Sequence, residues 1–226
     1  MFTGFTDETV DFMWGIRFNN ERSWFEAHKE DYLTYFYRPM VALADEVYDY
    51  LAHRRPDLGL IRKVTRIYRD ARRLHGRGRY KDHLWFCVEQ PSEPWTAHPT
   101  LWFELGPESW SYGLGYYMAR PVTMARLRAR MDADPKVMTD LTRRLTRQSE
   151  FVLEGEEYRR PKAQAPVPEL EPWYRKKSFS IYHEAKLEDL LFSHDLVDRL
   201  KKGYDFLLPY YDYFITLDSD PDPREM

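Results

Sequence analysis

The spacing of apolar residues changes character twice along this chain, and each change marks a different kind of element. From Thr6 to Arg54 the apolar positions follow the three-to-four-residue period of helices buried on one side. Thr6 stands where an N-cap belongs, with Asp7 and Glu8 in the first turn and Phe5 and Val10 spaced as a hydrophobic staple. Asn19-Asn20 reads as the end of that helix and the cap of the next. The second helix is predicted from Glu21 towards Tyr37, with Phe25, Tyr32 and Phe36 on one face beside Trp24 and His28. Pro39 suits the first turn of a third helix, whose stripe is Met40, Leu43, Val47, Tyr50 and Leu51. Arg54-Arg55-Pro56 ends it.

The middle of the chain alternates instead. Val64 to Tyr68, Leu84 to Glu89, Thr100 to Leu105 and Trp110 to Met118 are rich in β-branched and aromatic residues, and Pro, Gly and Ser separate them. Gly106-Pro107-Glu108-Ser109 reads as a hairpin turn, and Pro91-Ser92-Glu93-Pro94 as another. Helical spacing returns at Pro121, with Met124, Leu127 and Met131 on one face. A further helix starts after Asp134, with Pro135 at its first position and Met138, Leu141 and Leu145 inward. The proline-rich stretch from Pro161 to Pro172 reads as a loop, Phe179 to His183 as a last strand. A final helix opens at Ser193 or His194, with Leu196, Leu200 and Tyr204 inward. Helices, then strands, then helices predict an α+β fold. The expected form is a single domain over residues 1–217: a mainly antiparallel β-meander of about four to six strands with helices packed against it. Residues 218–226 read as an acidic flexible tail.

Composition adds few constraints. Aromatics make up 16% of the 226 residues, with 17 Tyr and 7 Trp, and core packing accounts for most of them. No apolar run is long enough to span a membrane, and residues 1–8 lack the basic and apolar regions of a secretory signal. The one cysteine, Cys87, excludes an internal disulfide and a Cys-based zinc cluster, and its apolar strand suits inert packing. A cytoplasmic location is the expectation. No P-loop, Rossmann fingerprint, HExxH or G-x-S-x-G is present, and His and acid spacings suggest no metal site; no cofactor is expected.

Charge changes the picture more. The net charge is -3, yet Arg66, Arg69, Arg72, Arg73, Arg77, Arg79 and Lys81 crowd into sixteen residues just after Arg62 and Lys63. Alternation across Arg66-Ile67-Tyr68-Arg69-Asp70 places Arg66 and Tyr68 on one face and Ile67 and Arg69 on the other. The next loop carries Gly76 and Gly78, which let backbone amides approach an anion. Guanidinium groups grip phosphate or carboxylate in bidentate fashion, and each charge-assisted contact contributes roughly 1.5–3 kcal/mol. The candidate ligand-binding residues are Arg66, Tyr68, Arg69, Arg72, Arg77, Tyr80 and Lys81. Asp70 and His75 are the acid/base candidates; arginine neighbours weaken Asp70 as a base, and histidine titrates near neutrality.

The same stretch carries a family resemblance. The pattern R-I-Y-R-D-x-R-F-x-x-D-K-x-P-Y-K of the DUF2461 family of uncharacterised proteins is similar to Arg66 through Lys81 without a gap. Arg66, Ile67, Tyr68, Arg69, Asp70, Arg72, Tyr80 and Lys81 stand at matching positions. The family's opening, an apolar helix, then Asn-Asn, then Trp-Phe, resembles Phe12 through Asn19-Asn20 to Trp24-Phe25. Arg73, Gly76, Arg77 and Arg79 depart from the pattern, and the loss of its second acid makes this loop more positive. The resemblance covers Phe5 to about Leu217 and implies no assigned activity.

Three readings of the arginines stay open. They clamp a small phosphorylated or otherwise anionic ligand; they touch nucleic acid, with Trp85, Trp95, Trp102, Trp110, Tyr112 and Tyr116 as stacking surfaces; or they are internal struts paired with Asp70 and with Asp7, Asp11, Glu21 or Glu26. The acidic net charge argues against a dedicated nucleic-acid binder.

Overall fold

Thr6 opens helix α1 (Asp7–Phe18) as its extended N-cap, and its backbone N–H is taken by the Thr9 hydroxyl at 3.1 Å. That contact belongs to a computed structural model of the chain, which describes residues 1–70, 72, 74, 76, 78–94, 96–116, 118–160 and 163–225. The second predicted helix is not continuous. It breaks at His28 into α2 (Arg22–Ala27) and α3 (Lys29–Asp31), and a π-helical turn, Tyr32–Tyr37, then runs directly into α4 (Arg38–Arg54). Pro39 lies in the first turn of α4 as its position suggests, but no break separates that helix from the π-helical turn before it. Proline has no N–H to donate to the carbonyl four residues back, here Tyr35. The wider turn absorbs that loss, and the Thr9 hydroxyl of α1 donates to the Tyr35 carbonyl instead. The carbonyl that Pro39 leaves without its helical donor thus becomes a docking point for α1.

The strands are β1 (Ile61–Val64), β2 (Leu84–Glu89), β3 (Thr100–Leu105), β4 (Ser109–Gly115), β5 (Val152–Glu154) and β6 (Ser180–Lys186). They make one antiparallel sheet in the order β1-β2-β3-β4-β6-β5, so the chain is α+β as expected. The predicted hairpin turn closes β3 onto β4 through the Gly106 N–H and the Ser109 carbonyl, 3.0 Å apart. The strand expected at Val64 to Tyr68 is displaced. β1 ends at Val64, and beyond it, among the described residues, a single bridge, Tyr68 to Tyr80, holds the arginine stretch in pairing. β5 had no sequence signal; its three residues pair with β6, Val152 opposite Tyr182. The remaining helices are α5 (Pro121–Ala133), α6 (Lys136–Thr146), α7 (Glu171–Arg175) and α8 (Asp195–Ile215). A 3-10 turn (Pro168–Leu170) and α7 occupy part of the stretch read as a loop.

Contacts divide the chain into two compact units. One comprises 1–88, 102–112 and 184–203; the other comprises 89–101, 113–183 and 204–226. In the first, Phe12, Phe36, Leu43, Phe86, Phe103 and Tyr112 are buried. α8 approaches Tyr112 so closely at Gly203 that a Cβ there would lie 2.3–2.7 Å from the Tyr112 hydroxyl and ring. Alanine normally strengthens a helix, by up to about 1 kcal/mol over glycine. Gly203→Ala is nonetheless expected to destabilise by about 1–2 kcal/mol, because the added methyl overpacks the core. A urea midpoint that rises in that variant would contradict this packing.

In the second unit, Trp173 donates its indole N–H to the Thr142 hydroxyl at 2.9 Å, and Tyr210 donates to the Leu141 carbonyl at 2.8 Å. Asp218 and Asp220 lie in the segment read as a loose acidic tail. Arg126 bonds Asp218 at 2.8 Å, and Arg130 holds both Asp220 oxygens at 2.7 Å. Two arginines of α5 thus hold this end of the chain. Among the described residues, no helix is long and apolar enough to cross a membrane.

Candidate functional site

Alternation along β3 and β4 decides what is buried and what faces outward. Leu101, Phe103 and Leu105 are buried, while Thr100, Trp102 and Glu104 are half-exposed. On β4, Trp110 and Tyr112 point into the core and Ser109 and Ser111 do not. The outward side chains of these strands line a cleft of about 350 Å³, together with Glu184 of β6, Arg17 of α1, and Asp82 and His83 just before β2.

Asp82 is the hub of this cleft. Arg17 Nε donates to its Oδ2 at 2.6 Å, and His83 Nδ1 lies 2.9 Å from its Oδ1. Arg17 also reaches Glu108 at 3.4 Å, which ties α1 to the β3–β4 turn. The hydrogen bond from His83, and then the one from Arg17, holds the Asp82 carboxyl far below the usual carboxylate range against the opposing effect of burial. Asp82 is thus ionised, Nδ1 of His83 is the donor to it, and Nε2 remains as the second ring nitrogen.

The arginine stretch runs past the same hub. Arg69 donates from Nε to the Tyr80 carbonyl at 3.0 Å, and its Nη2 stands 3.9 Å from Asp82 Oδ1. Lys81 is half-buried. Burial first, then the Arg69 cation and more weakly Arg66, push its ammonium below the usual lysine value; Glu104 of the cleft opposes them. The Arg69 N–H bonds the Arg79 carbonyl at 2.8 Å and the Lys81 N–H bonds the Ile67 carbonyl at 2.7 Å, so backbone pairing sets the Arg66–Arg69 segment beside Lys81.

The other sequence candidates separate from this group. Arg72 is exposed and gives both donors to Asp70, at 3.0 and 2.8 Å, so Asp70 orients that side chain. Tyr80 is 3% exposed and stacks on Phe25 with centroids 4.4 Å apart, so its ring packs in the core. Tyr68 is 51% exposed and meets Phe25 edge-on. His75 and Arg77, with Arg73 and Trp95, lie outside the described residues. No ion pair joins Arg66, Arg69 or Arg72 to Asp7, Asp11, Glu21 or Glu26 among the described residues. Of the proposed stacking surfaces, Trp110, Tyr112 and Tyr116 are buried, while Trp85 and Trp102 are partly exposed.

Asn20 does more than its expected backbone role at a helix end. Its Nδ2 donates to the carbonyls of Ile16 and Tyr80, at 3.2 and 3.0 Å, and its Oδ1 accepts the Tyr80 N–H at 2.9 Å. One amide thus clamps the backbone that carries Lys81. Sequence reasoning missed Arg17, Asp82, Glu104 and Glu184. Alternation signalled only the first step, that Trp102 and Glu104 share a face; nothing local brings Arg17 to Asp82. Among the described residues, no group of three or more His, Cys, Asp or Glu is placed to hold a metal ion.

No curated protein matches the sequence. The match to a family is broad: the model for DUF2461, described as a conserved hypothetical protein, covers residues 8–213 and so takes in α1, the Asn20 clamp, the arginine stretch and the cleft strands. The chain belongs to the DUF2461 family.

Proposed function

We propose that this protein binds a small phosphorylated or otherwise anionic ligand through Arg66, Arg69 and Lys81. The observation that carries this reading is the backbone pairing that sets Arg66 and Arg69 beside a half-buried Lys81, through Lys81 N–H to the Ile67 carbonyl at 2.7 Å and Arg69 N–H to the Arg79 carbonyl at 2.8 Å. Burial and the guanidinium groups then push the ammonium down against Glu104. Holding like charges together costs stability. An anion would relieve that cost, and charge-assisted hydrogen bonds would add roughly 1.5–3 kcal/mol each.

The experiment compares thermal unfolding of the wild type and Lys81→Met in inorganic phosphate or sulfate. At a hundredfold excess over Kd, binding adds about 2.7 kcal/mol, a melting shift of roughly 5–10 °C for a chain of this size. Lys81→Met should melt higher than wild type without anion, because it removes a repelled, partly desolvated cation, and should lose most of the anion response. The cost of Lys81 is fully present below its depressed folded value. It fades as pH rises from there towards the ordinary lysine value of 10.5, since only the unfolded chain then holds the proton. The stability gap between the two proteins should narrow accordingly. Absence of any anion shift in the wild type, or an undiminished shift in Lys81→Met, contradicts the proposal.

A further inference from the structure

We infer that the ligand is a sugar phosphate, with its phosphate on Arg66, Arg69 and Lys81 and its hydroxylated ring in the adjoining cleft. This rests on the anion reading above and extends it to the body of the molecule. The two places are contiguous. Arg69 reaches towards Asp82 at 3.9 Å, and Glu104 is the carboxylate that opposes the lowering of Lys81; Asp82 and Glu104 both line the cleft.

The cleft's chemistry selects the rest. Ionised carboxylates only accept hydrogen bonds, so whatever faces Glu104 and Glu184 must donate them. A fully ionised phosphate monoester has no proton to donate, and these acids repel it towards the three cations. Among the described residues, neither Glu104 nor Glu184 makes a hydrogen bond or an ion pair. Trp102 adds an apolar ring, which suits the C–H face of a sugar, and Ser111 adds a hydroxyl that both gives and accepts. At about 350 Å³ the space is near the lower end for small-molecule sites and fits a single ring better than a nucleotide.

Calorimetric titration of the full chain with inorganic phosphate, glucose 6-phosphate, glucose and adenosine monophosphate separates the possibilities. Glucose 6-phosphate should bind at least about tenfold tighter than phosphate, a gain of about 1.4 kcal/mol. Glu184→Ala, at an exposed position, should erase most of that gain while leaving phosphate affinity unchanged. Trp102→Ala should act in the same direction, with circular dichroism confirming its fold. Equal binding of phosphate and glucose 6-phosphate overturns the sugar assignment and leaves the anion site standing. So does a preference for adenosine monophosphate, or a gain that survives both variants. Binding of neither phosphate nor glucose 6-phosphate overturns both readings.

Discussion

Asp82→Ala is expected to cost the fold about 3 kcal/mol, the lower end of the range for removing one partner of a buried charge network. The carboxylate is 16% exposed and faces Arg17 at 2.6 Å, His83 at 2.9 Å and Arg69 at 3.9 Å. Removal leaves those donors facing each other, although Arg17 and Arg69 keep partial access to water, which sets the figure at the low end. Urea denaturation should show a lower midpoint with an unchanged slope. The pH dependence has a definite sign. Because the folded carboxyl is held far below its ordinary 3.8, the unfolded chain takes up a proton first as pH falls. The stability from Asp82 is therefore complete above about pH 5 and drains away below the ordinary carboxylate value. The difference between wild type and Asp82→Ala should shrink through that acid range. A difference that widens there, or a cost below about 1 kcal/mol at neutral pH, would show that Asp82 is not the hub described.

Asn20→Ala is expected to lose about 2–4 kcal/mol. Three hydrogen bonds disappear, and the Tyr80 N–H is left without its acceptor beside a buried ring; an orphaned group of this kind costs about 1–3 kcal/mol alone. The Tyr80 carbonyl keeps the Arg69 guanidinium, which limits the damage. Gly78 offers an independent check. A Cβ at Gly78 would lie 2.1 Å from the Asn20 Oδ1 and 2.2 Å from its Cγ, so Gly78→Ala must expel the same clamp. The two substitutions should then be strongly non-additive, with the double variant little worse than Asn20→Ala. Additive losses would mean that the two residues act separately. Loosening this backbone should also weaken the phosphate response, because it carries Lys81 and holds Arg69.

Much of the fold was legible because it depends on local periodicity. β2 and β3 begin and end where alternation places them, and the inward stripe of α8 at Leu196, Leu200 and Tyr204 is buried as its spacing implies. The breaks were less legible. The helix predicted from Glu21 divides at His28, and a π-helical turn joins it to α4 without a break; there a hydroxyl from another helix takes the carbonyl that proline leaves unmatched. β5 is three residues long, too short for any period, and exists as a strand only because β6 pairs with it.

The candidate site divides along the same line. By itself the sequence determined that a dense run of cations comes after β1, and that Trp102 and Glu104 share one face of a strand, since both are matters of neighbouring residues. The tertiary structure alone decided which cations stand together. It turned Tyr80 into the core, tied Arg72 to Asp70, paired the Lys81 backbone with Ile67 next to Arg66, and carried Arg17 across 65 positions to Asp82. The physical reason is that charge acts through distance and burial, which chain folding sets, whereas periodicity acts through adjacency, which the sequence already contains.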